Sequence, residues 1–140
     1  EAVRLRYQLF PYLYTAARET YDTGVGMNRP LYYDYPEDGN AYVYEDEYMF
    51  GQDMLVAPIY TPARNGYAGR KIWLPGEGEQ WWDVAHHRLT SGNQAFYSAY
   101  TLDEFPVFYH AGSVTNTHCP VSPGCSPGAR DRTTKAMPGP

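Results

Sequence analysis

Cysteine, basic residues and long apolar runs are all scarce in this sequence. Only two of its 140 residues are cysteines, Cys119 and Cys125, which are too few for a disulfide framework and fix no redox compartment. Lys and Arg number 11 against 16 Asp and Glu, and the net charge of -5 argues against a nucleic-acid or anionic-membrane partner. No stretch approaches the roughly 18 apolar residues of a membrane span, so none is expected.

The length of the chain restricts its fold. A complete (β/α)8 barrel needs roughly 250 residues, so 140 residues allow a single domain or parts of two. Hydrophobic residues at 43% and charged residues at 19% supply enough apolar material for a packed core. The chain begins at Glu1 with neither an initiator Met nor a leader, which favours a piece of a longer polypeptide.

Aromatic residues are abundant, at 15 Tyr, 5 Phe and 3 Trp. Tyr and Trp combine a flat apolar face with a polar edge, which suits sugar rings but also β-sandwich cores and domain interfaces. Packing is the more common use, so we expect most of these residues to be structural.

The first 22 residues have the pattern of an amphipathic helix. Leu5, Leu9 and Leu13 follow at intervals of four, and Gly24 comes shortly after the helix should end. Pro11 inside a continuous helix would cost about 3 kcal/mol. The sequence therefore predicts a kink, or two helical pieces, near this proline.

After Gly24 the pattern changes to short strands separated by turn residues. Such a series predicts an antiparallel sandwich or barrel. The predicted strands are residues 29–33, 54–60, 71–74, 80–84, 94–97 and 105–109. From Thr115 onward the chain is rich in proline and has few large aliphatic side chains, so residues 115–140 are predicted to be disordered.

Three blocks of sequence resemble the C-terminal portion of glycoside hydrolase family 31, the α-glucosidase and α-xylosidase family. The first contains LRYQLFPYLY at residues 5–14 and NRPLYYDYP at 28–36, and the second is DEYMFGQDMLVAP at 46–58. The third contains IWLP at 72–75, WWD at 81–83 and FPVFYHAGS at 105–113. Their order and spacing are similar to those of the family.

The resemblance implies a fold and a division of the chain. Members of the family have a catalytic (β/α)8 barrel followed by β-sandwich domains. Residues 1–53 would then be the C-terminal end of the barrel, a helix plus the last strand. Residues 54–114 would form part of an antiparallel β-sandwich, and residues 115–140 a disordered tail of non-family sequence.

The departures from the family pattern concern catalysis. The family's Asp nucleophile, in a motif of the form Trp-x-Asp-Met-Asn-Glu, its acid/base Asp and its sugar-binding His all precede the stretch found here. His110 stands where the family usually has Arg. The resemblance therefore implies no catalytic, binding or metal residue in this chain, and no cofactor.

Several residue groups could carry chemistry, but each has a simpler structural interpretation. An acidic cluster could supply the two carboxyl groups of a retaining glycosidase, although it lies beside turn residues and is expected at the surface. Asp34 is its best candidate, since barrel active sites collect at strand ends. The cluster consists of Asp34, Glu37, Asp38, Glu45, Asp46 and Glu47.

The remaining candidates are basic, aromatic or metal-ligating. Arg29 is expected to pair with a structural carboxylate rather than a substrate. His86 and His87 are expected in a turn, and of Trp81 and Trp82 one should face the core and the other an interface. The set His118, Cys119 and Cys125 lacks a fourth ligand, which makes a zinc site improbable.

The functional expectation is a fragment of a retaining α-glycosidase that is inactive alone and meets carbohydrate through its full-length parent. An alternative is a non-catalytic carbohydrate-binding β-sandwich module, and a third is a scaffold that docks to a separate barrel.

Overall fold

The computed structural model describes residues 2–113 of the chain. The predicted tail, with His118, Cys119 and Cys125, lies outside these residues. The helices are α1 (Ala2–Gln8), α2 (Phe10–Thr23), α3 (Leu31–Asp34) and α4 (Asn40–Val43). The strands are β1 (Asn28–Pro30), β2 (Tyr48–Phe50), β3 (Met54–Val56), β4 (Ala68–Leu74), β5 (Gln80–Asp83), β6 (Arg88–Ser91), β7 (Gln94–Tyr100) and β8 (Val107–His110).

The predicted break in the first helix is confirmed. α1 and α2 are separated at Leu9, and Pro11 lies in the first turn of α2, where its missing N–H removes no helical hydrogen bond. Gly24 ends α2 in the left-handed conformation, with φ of 73°, and its N–H donates to the carbonyl oxygen of Thr20 at 2.9 Å. A left-handed glycine is a common helix terminator because it has no Cβ to clash.

The strands form two antiparallel sheets. Six of them make one sheet in the order β1-β2-β3-β8-β5-β6, and β4 pairs with β7 in the second. The buried core combines side chains of both sheets, such as Leu55 and Phe108 from the first and Ile72 and Trp73 from the second. Phe96 of β7 packs edge-on against Phe108 of β8, with ring centroids 6.1 Å apart. The arrangement is sandwich-like, as predicted.

The predicted strand at residues 29–33 is wrong in its second half. β1 ends at Pro30, and Leu31 begins the single helical turn α3, closed by the Tyr35 N–H donating to the Leu31 carbonyl oxygen at 2.9 Å. Leu31 is buried while Tyr32 and Tyr33 are exposed, which is the one-sided burial of a helical turn. The predicted strand at 54–60 is likewise shorter, because β3 ends at Val56.

β1 belongs to the same sheet as the strands that follow it. It pairs antiparallel with β2, and β2 pairs antiparallel with β3. The six-stranded sheet therefore includes strands on both sides of the predicted division at residue 53. That division, and the assignment of the opening helix to a barrel, remain predictions drawn from the resemblance.

The helix α2 is attached to the sheet through Tyr12. Its hydroxyl donates to the carbonyl oxygen of Phe50 at 2.6 Å, and the two rings lie 6.1 Å apart. Burial raises the pKa of Tyr12 to about 12, so its hydroxyl stays protonated and able to donate. No helix among the described residues is long and apolar enough to cross a membrane.

Candidate functional site

Arg29 and Asp34 form an ion pair in a cleft between α2 and the β1–β2 edge of the sheet. The Arg29 Nε donates to both carboxylate oxygens of Asp34, at 3.1 and 3.0 Å, and its Nη2 donates to the Gly51 carbonyl oxygen at 3.0 Å. The cleft has a volume of about 430 Å³ and is also lined by Glu19 and Gln52.

The local sequence explains how this pair forms. Pro30 is extended, with φ of -65° and ψ of 150°, and ends β1 immediately after Arg29. The helical turn α3 then brings Asp34 back beside Arg29, five residues earlier. The structural pairing expected for Arg29 is confirmed, and Asp34 is already engaged by a guanidinium.

The rest of the acidic cluster divides into exposed and buried members. Glu37, Glu45 and Asp46 are exposed, as expected. Asp38 accepts a hydrogen bond from the Asn40 N–H at 2.9 Å, at the start of α4. Glu47, in contrast, is 1% exposed, so the surface interpretation is wrong for this residue.

Glu47 links the segment before β2 to strand β4. Both of its carboxylate oxygens accept from the Trp73 N–H, at 3.2 and 3.3 Å, and the buried Arg70 guanidinium lies 3.8 Å away. Burial outweighs these favourable contacts and raises the pKa of Glu47 to about 8. The group is a structural carboxyl that is buried between elements.

Asp83 is a buried carboxylate that the sequence analysis did not single out. It is fully buried and accepts from the backbone N–H of Ala85 and of His86, at 3.1 and 3.2 Å. Its other oxygen lies 2.8 Å from His86 Nδ1 and 3.4 Å from Arg88 Nε. An Asp directly before a turn is the sequence signal that could have identified this hydrogen-bonding role.

The predictions for the histidine and tryptophan pairs can be compared with their positions. His86 and His87 lie in the turn between β5 and β6, as predicted, with His87 at a positive φ of 51°. Trp81 is fully buried and its Nε1 donates to the Pro75 carbonyl oxygen at 3.0 Å, which confirms a core role. Trp82, on the opposite face of β5, is half-buried.

His110 contacts two groups at the end of β8. Its Nε2 lies 3.6 Å from the Glu79 carboxylate, and its ring packs edge-on against Trp81 at 5.3 Å. The Tyr35 hydroxyl donates to the same carboxylate at 3.4 Å, and burial together with the Glu79 charge raises the pKa of Tyr35. The Tyr35 hydroxyl and His110 thus share Glu79.

The described residues do not gather a metal site. Within residues 2–113, no group of three or more His, Cys, Asp or Glu side chains is arranged to hold an ion. The candidate ligands His118, Cys119 and Cys125 lie beyond this range. The carboxylates that the structure brings into close polar contact have backbone amides, Arg, His, Tyr or Thr as partners.

Comparison with known proteins identifies the family. Residues 24–115 match the model of the glycosyl hydrolase family 31 C-terminal domain. The chain belongs to glycosyl hydrolase family 31. This confirms the resemblance seen in the sequence blocks.

Relatives of the chain include named glycosidases. It is 33% identical over 114 residues to neutral alpha-glucosidase AB of Homo sapiens, covering 81% of this chain and 12% of the relative. It is 35% identical over 112 residues to an alpha-xylosidase of Saccharolobus solfataricus, and the match covers 80% of this chain and 15% of the relative. The chain therefore spans about an eighth of the length of the curated relatives it matches.

Solved structures of the family have the same fold. A family 31 α-xylosidase from a soil metagenome, solved with xylose, superposes with a TM-score of 0.72 at 36% identity, covering 79% of this chain and 16% of that one. A dextranase of Flavobacterium johnsoniae, solved as a mutant with isomaltotriose, superposes with a TM-score of 0.71 at 32% identity. The match covers 81% of this chain and 13% of the dextranase chain.

Proposed function

We propose that this chain is the C-terminal β-domain region of a retaining α-glycosidase, and that it hydrolyses no glycosidic bond by itself. The match of residues 24–115 to the C-terminal domain of the family carries this proposal. The short share of each relative that the chain covers supports it. Carbohydrate would then be the substrate of the full-length parent.

The contacts of the three best catalytic candidates among the carboxylates support the proposal that the chain alone is inactive. A retaining glycosidase needs two carboxyl groups about 5 to 5.5 Å apart, one of them free to attack the sugar. Asp34 is held by Arg29, Glu47 is buried against the Trp73 amide, and Asp83 is buried among four donors. Each of these groups has a structural role that explains its position.

The exposed face of α1 and α2 supports a position beside another part of a larger protein. An apolar seam recurs at spacings of three and four and consists of Val3, Tyr7, Phe10, Tyr14, Ala17 and Tyr21. All six are exposed, Tyr14 at 71% and Tyr21 at 82%. Such spacing is the pattern of a helix that packs along its length.

The occupant of this seam follows from the extent of the family domain. The domain model begins at residue 24, so both helices lie before it. We therefore assign the seam to contact with the catalytic barrel that precedes this domain in the family. This contact supports the predicted barrel end, residues 1–53, only for its first part, residues 1–23.

A hydrolysis assay tests the inactive half of the proposal. The purified chain should release no p-nitrophenol above background from p-nitrophenyl α-glucoside or α-xyloside. Asp34→Asn and Asp103→Asn, a change at an exposed turn, should both leave that background unchanged. Hydrolysis that disappears in Asp34→Asn and persists in Asp103→Asn would overturn the proposal.

A further inference from the structure

The face of the second sheet carries an open groove walled by tyrosines. It has a volume of about 260 Å³ and is lined by residues of β4 and β7 and of the segments before β2 and β4, among them Tyr44, Tyr60, Lys71 and Tyr97. Tyr60 is 71% exposed and Tyr97 is 73% exposed. Large aromatic faces are thus left in water around a concave surface.

The rings that line this tyrosine groove are held by their neighbours. Tyr60 lies beneath the guanidinium of Arg70, which is 5.2 Å from the ring centroid and is itself buried between Glu47 and the Pro58 carbonyl oxygen. Tyr97 covers the backbone of Gly69, so that a Cβ at Gly69 would overlap its ring. Because these contacts already order the two tyrosine side chains, ligand binding would cost less side-chain entropy.

The deeper wall is equally ordered. Tyr44 is half-buried and stacks on Trp73, with centroids 6.3 Å apart and planes 24° from parallel. The Lys71 ammonium lies 5.7 Å from the centroid of the Tyr44 ring. A ligand in the groove would therefore contact fixed aromatic surface and a positive donor together.

The polar groups at the groove indicate the chemistry of a ligand. Asp46 offers acceptors and Lys71 offers donors, while Thr61 adds a hydroxyl. Asp46 and Lys71 are exposed and opposite in sign, while Arg70, the third charged residue of the lining, is buried against Glu47. The exposed charges therefore favour neither an anion nor a cation. Flat aromatic faces bordered by mixed donors and acceptors suit a neutral ring with one apolar face and a rim of hydroxyls.

We propose that the tyrosine groove binds a pyranose ring of a neutral oligosaccharide, stacked on Tyr60 and Tyr97. The volume of about 260 Å³ lies below the roughly 300 to 1,000 Å³ of drug-sized pockets and suits a monosaccharide unit. The choice of an α-glucan as the probe rests on the proposed function. Binding itself requires no catalytic group.

Titration of the full chain with maltotriose, followed by calorimetry and intrinsic fluorescence, tests this proposal. We expect saturable binding that Tyr60→Ala and Tyr97→Ala each weaken about fivefold or more. Tyr97→Phe should retain the affinity because stacking uses the ring face. Tyr21→Ala removes an equally exposed tyrosine from α2 and should leave the affinity unchanged.

A glycine variant tests whether binding depends on the position of the Tyr97 ring as well as on its presence. Gly69→Ala keeps every aromatic residue but displaces the Tyr97 ring, so it should weaken binding as Tyr97→Ala does. Absence of saturable binding at roughly tens of millimolar maltotriose, or equal affinity in the wild type and both alanine variants, would overturn the groove proposal. Either result leaves the proposed role in a glycosidase untouched, whereas hydrolysis by the chain would overturn that role alone.

Discussion

Replacement of Glu47 by glutamine should make the stability of the fold less sensitive to pH. In the unfolded chain this carboxyl has its ordinary pKa of 4.5, and burial in the folded chain raises the pKa to about 8. Below pH 4.5 the group is protonated in both states, so its ionisation contributes no difference. Between pH 4.5 and 8 the Glu47 carboxyl ionises in the unfolded chain but stays protonated in the folded chain. The free energy of unfolding therefore falls as the pH rises, and it levels off above pH 8.

The size of this effect follows from the separation of the two pKa values. Each pH unit between them is worth about 1.4 kcal/mol, so the total loss is on the order of 5 kcal/mol. Domains of this size are stable by about 5 to 15 kcal/mol, so the loss is a large part of the total. Glu47→Gln removes the ionisation and retains a carbonyl oxygen that can accept from the Trp73 N–H.

Urea unfolding at several values between pH 5 and pH 9, followed by tryptophan fluorescence, measures the effect. At pH 5 the Gln variant and the wild type should differ by less than about 1 kcal/mol, and at pH 8.5 the variant should be the more stable by a few kcal/mol. Glu45→Gln, an exposed neighbour, should follow the wild-type profile at every pH. A Gln variant that is several kcal/mol less stable at pH 8.5 would refute the reasoning, since the ionised Glu47 would then be net stabilising through Arg70.

Three further changes test other parts of the structure. Asp83→Asn should lower the free energy of unfolding by about 2 kcal/mol, because the amide nitrogen of Asn cannot accept from the His86 ring or the Arg88 guanidinium; thermal denaturation that matches the wild type would contradict this. Gly92→Ala should destabilise the β6–β7 turn, since its Cβ would overlap backbone carbonyl oxygens, while Gly39→Ala, with open space around it, should be close to neutral in the same urea titration. The exposed apolar seam should make the isolated chain self-associate, and the paired change of Tyr7 and Tyr14 to lysine should reduce that association in sedimentation velocity; equal association of the variant and the wild type would contradict this.

The elements that the sequence predicted well are those that local chemistry decides. The break before α2 follows from the ring of Pro11, and its end follows from the left-handed conformation open to Gly24. β5 alternates along Gln80–Asp83 between half-buried and buried side chains, and this period is visible in the residues themselves. No distant partner is needed to explain these features.

The elements that were missed or misplaced depend on distant partners. β2 is a three-residue strand whose identity comes from pairing with β1 and β3 on either side. β6 is mostly exposed, so it offers no apolar alternation, and it exists through its ladder with β5. Leu31 begins a helical turn where an apolar run predicted a strand, because the chain turns back to bring Asp34 to Arg29.

Glu47 shows the same limit at the level of a single side chain. It closes an acidic run of three residues, for which a solvated surface is the ordinary expectation. Its burial depends on a backbone amide 26 residues away at Trp73 and on the Arg70 guanidinium in the same strand. Neither contact leaves a signal in the residues around Glu47.

The buried and paired carboxylates hold parts of the described fold together. Asp34 fixes the turn after β1, Asp83 fixes the turn after β5, and Glu47 joins the segment before β2 to β4. The apolar residues on α1 and α2 remain exposed, on the segment that precedes the family domain. In the proposed function this exposed helical face is the surface that contacts the catalytic barrel.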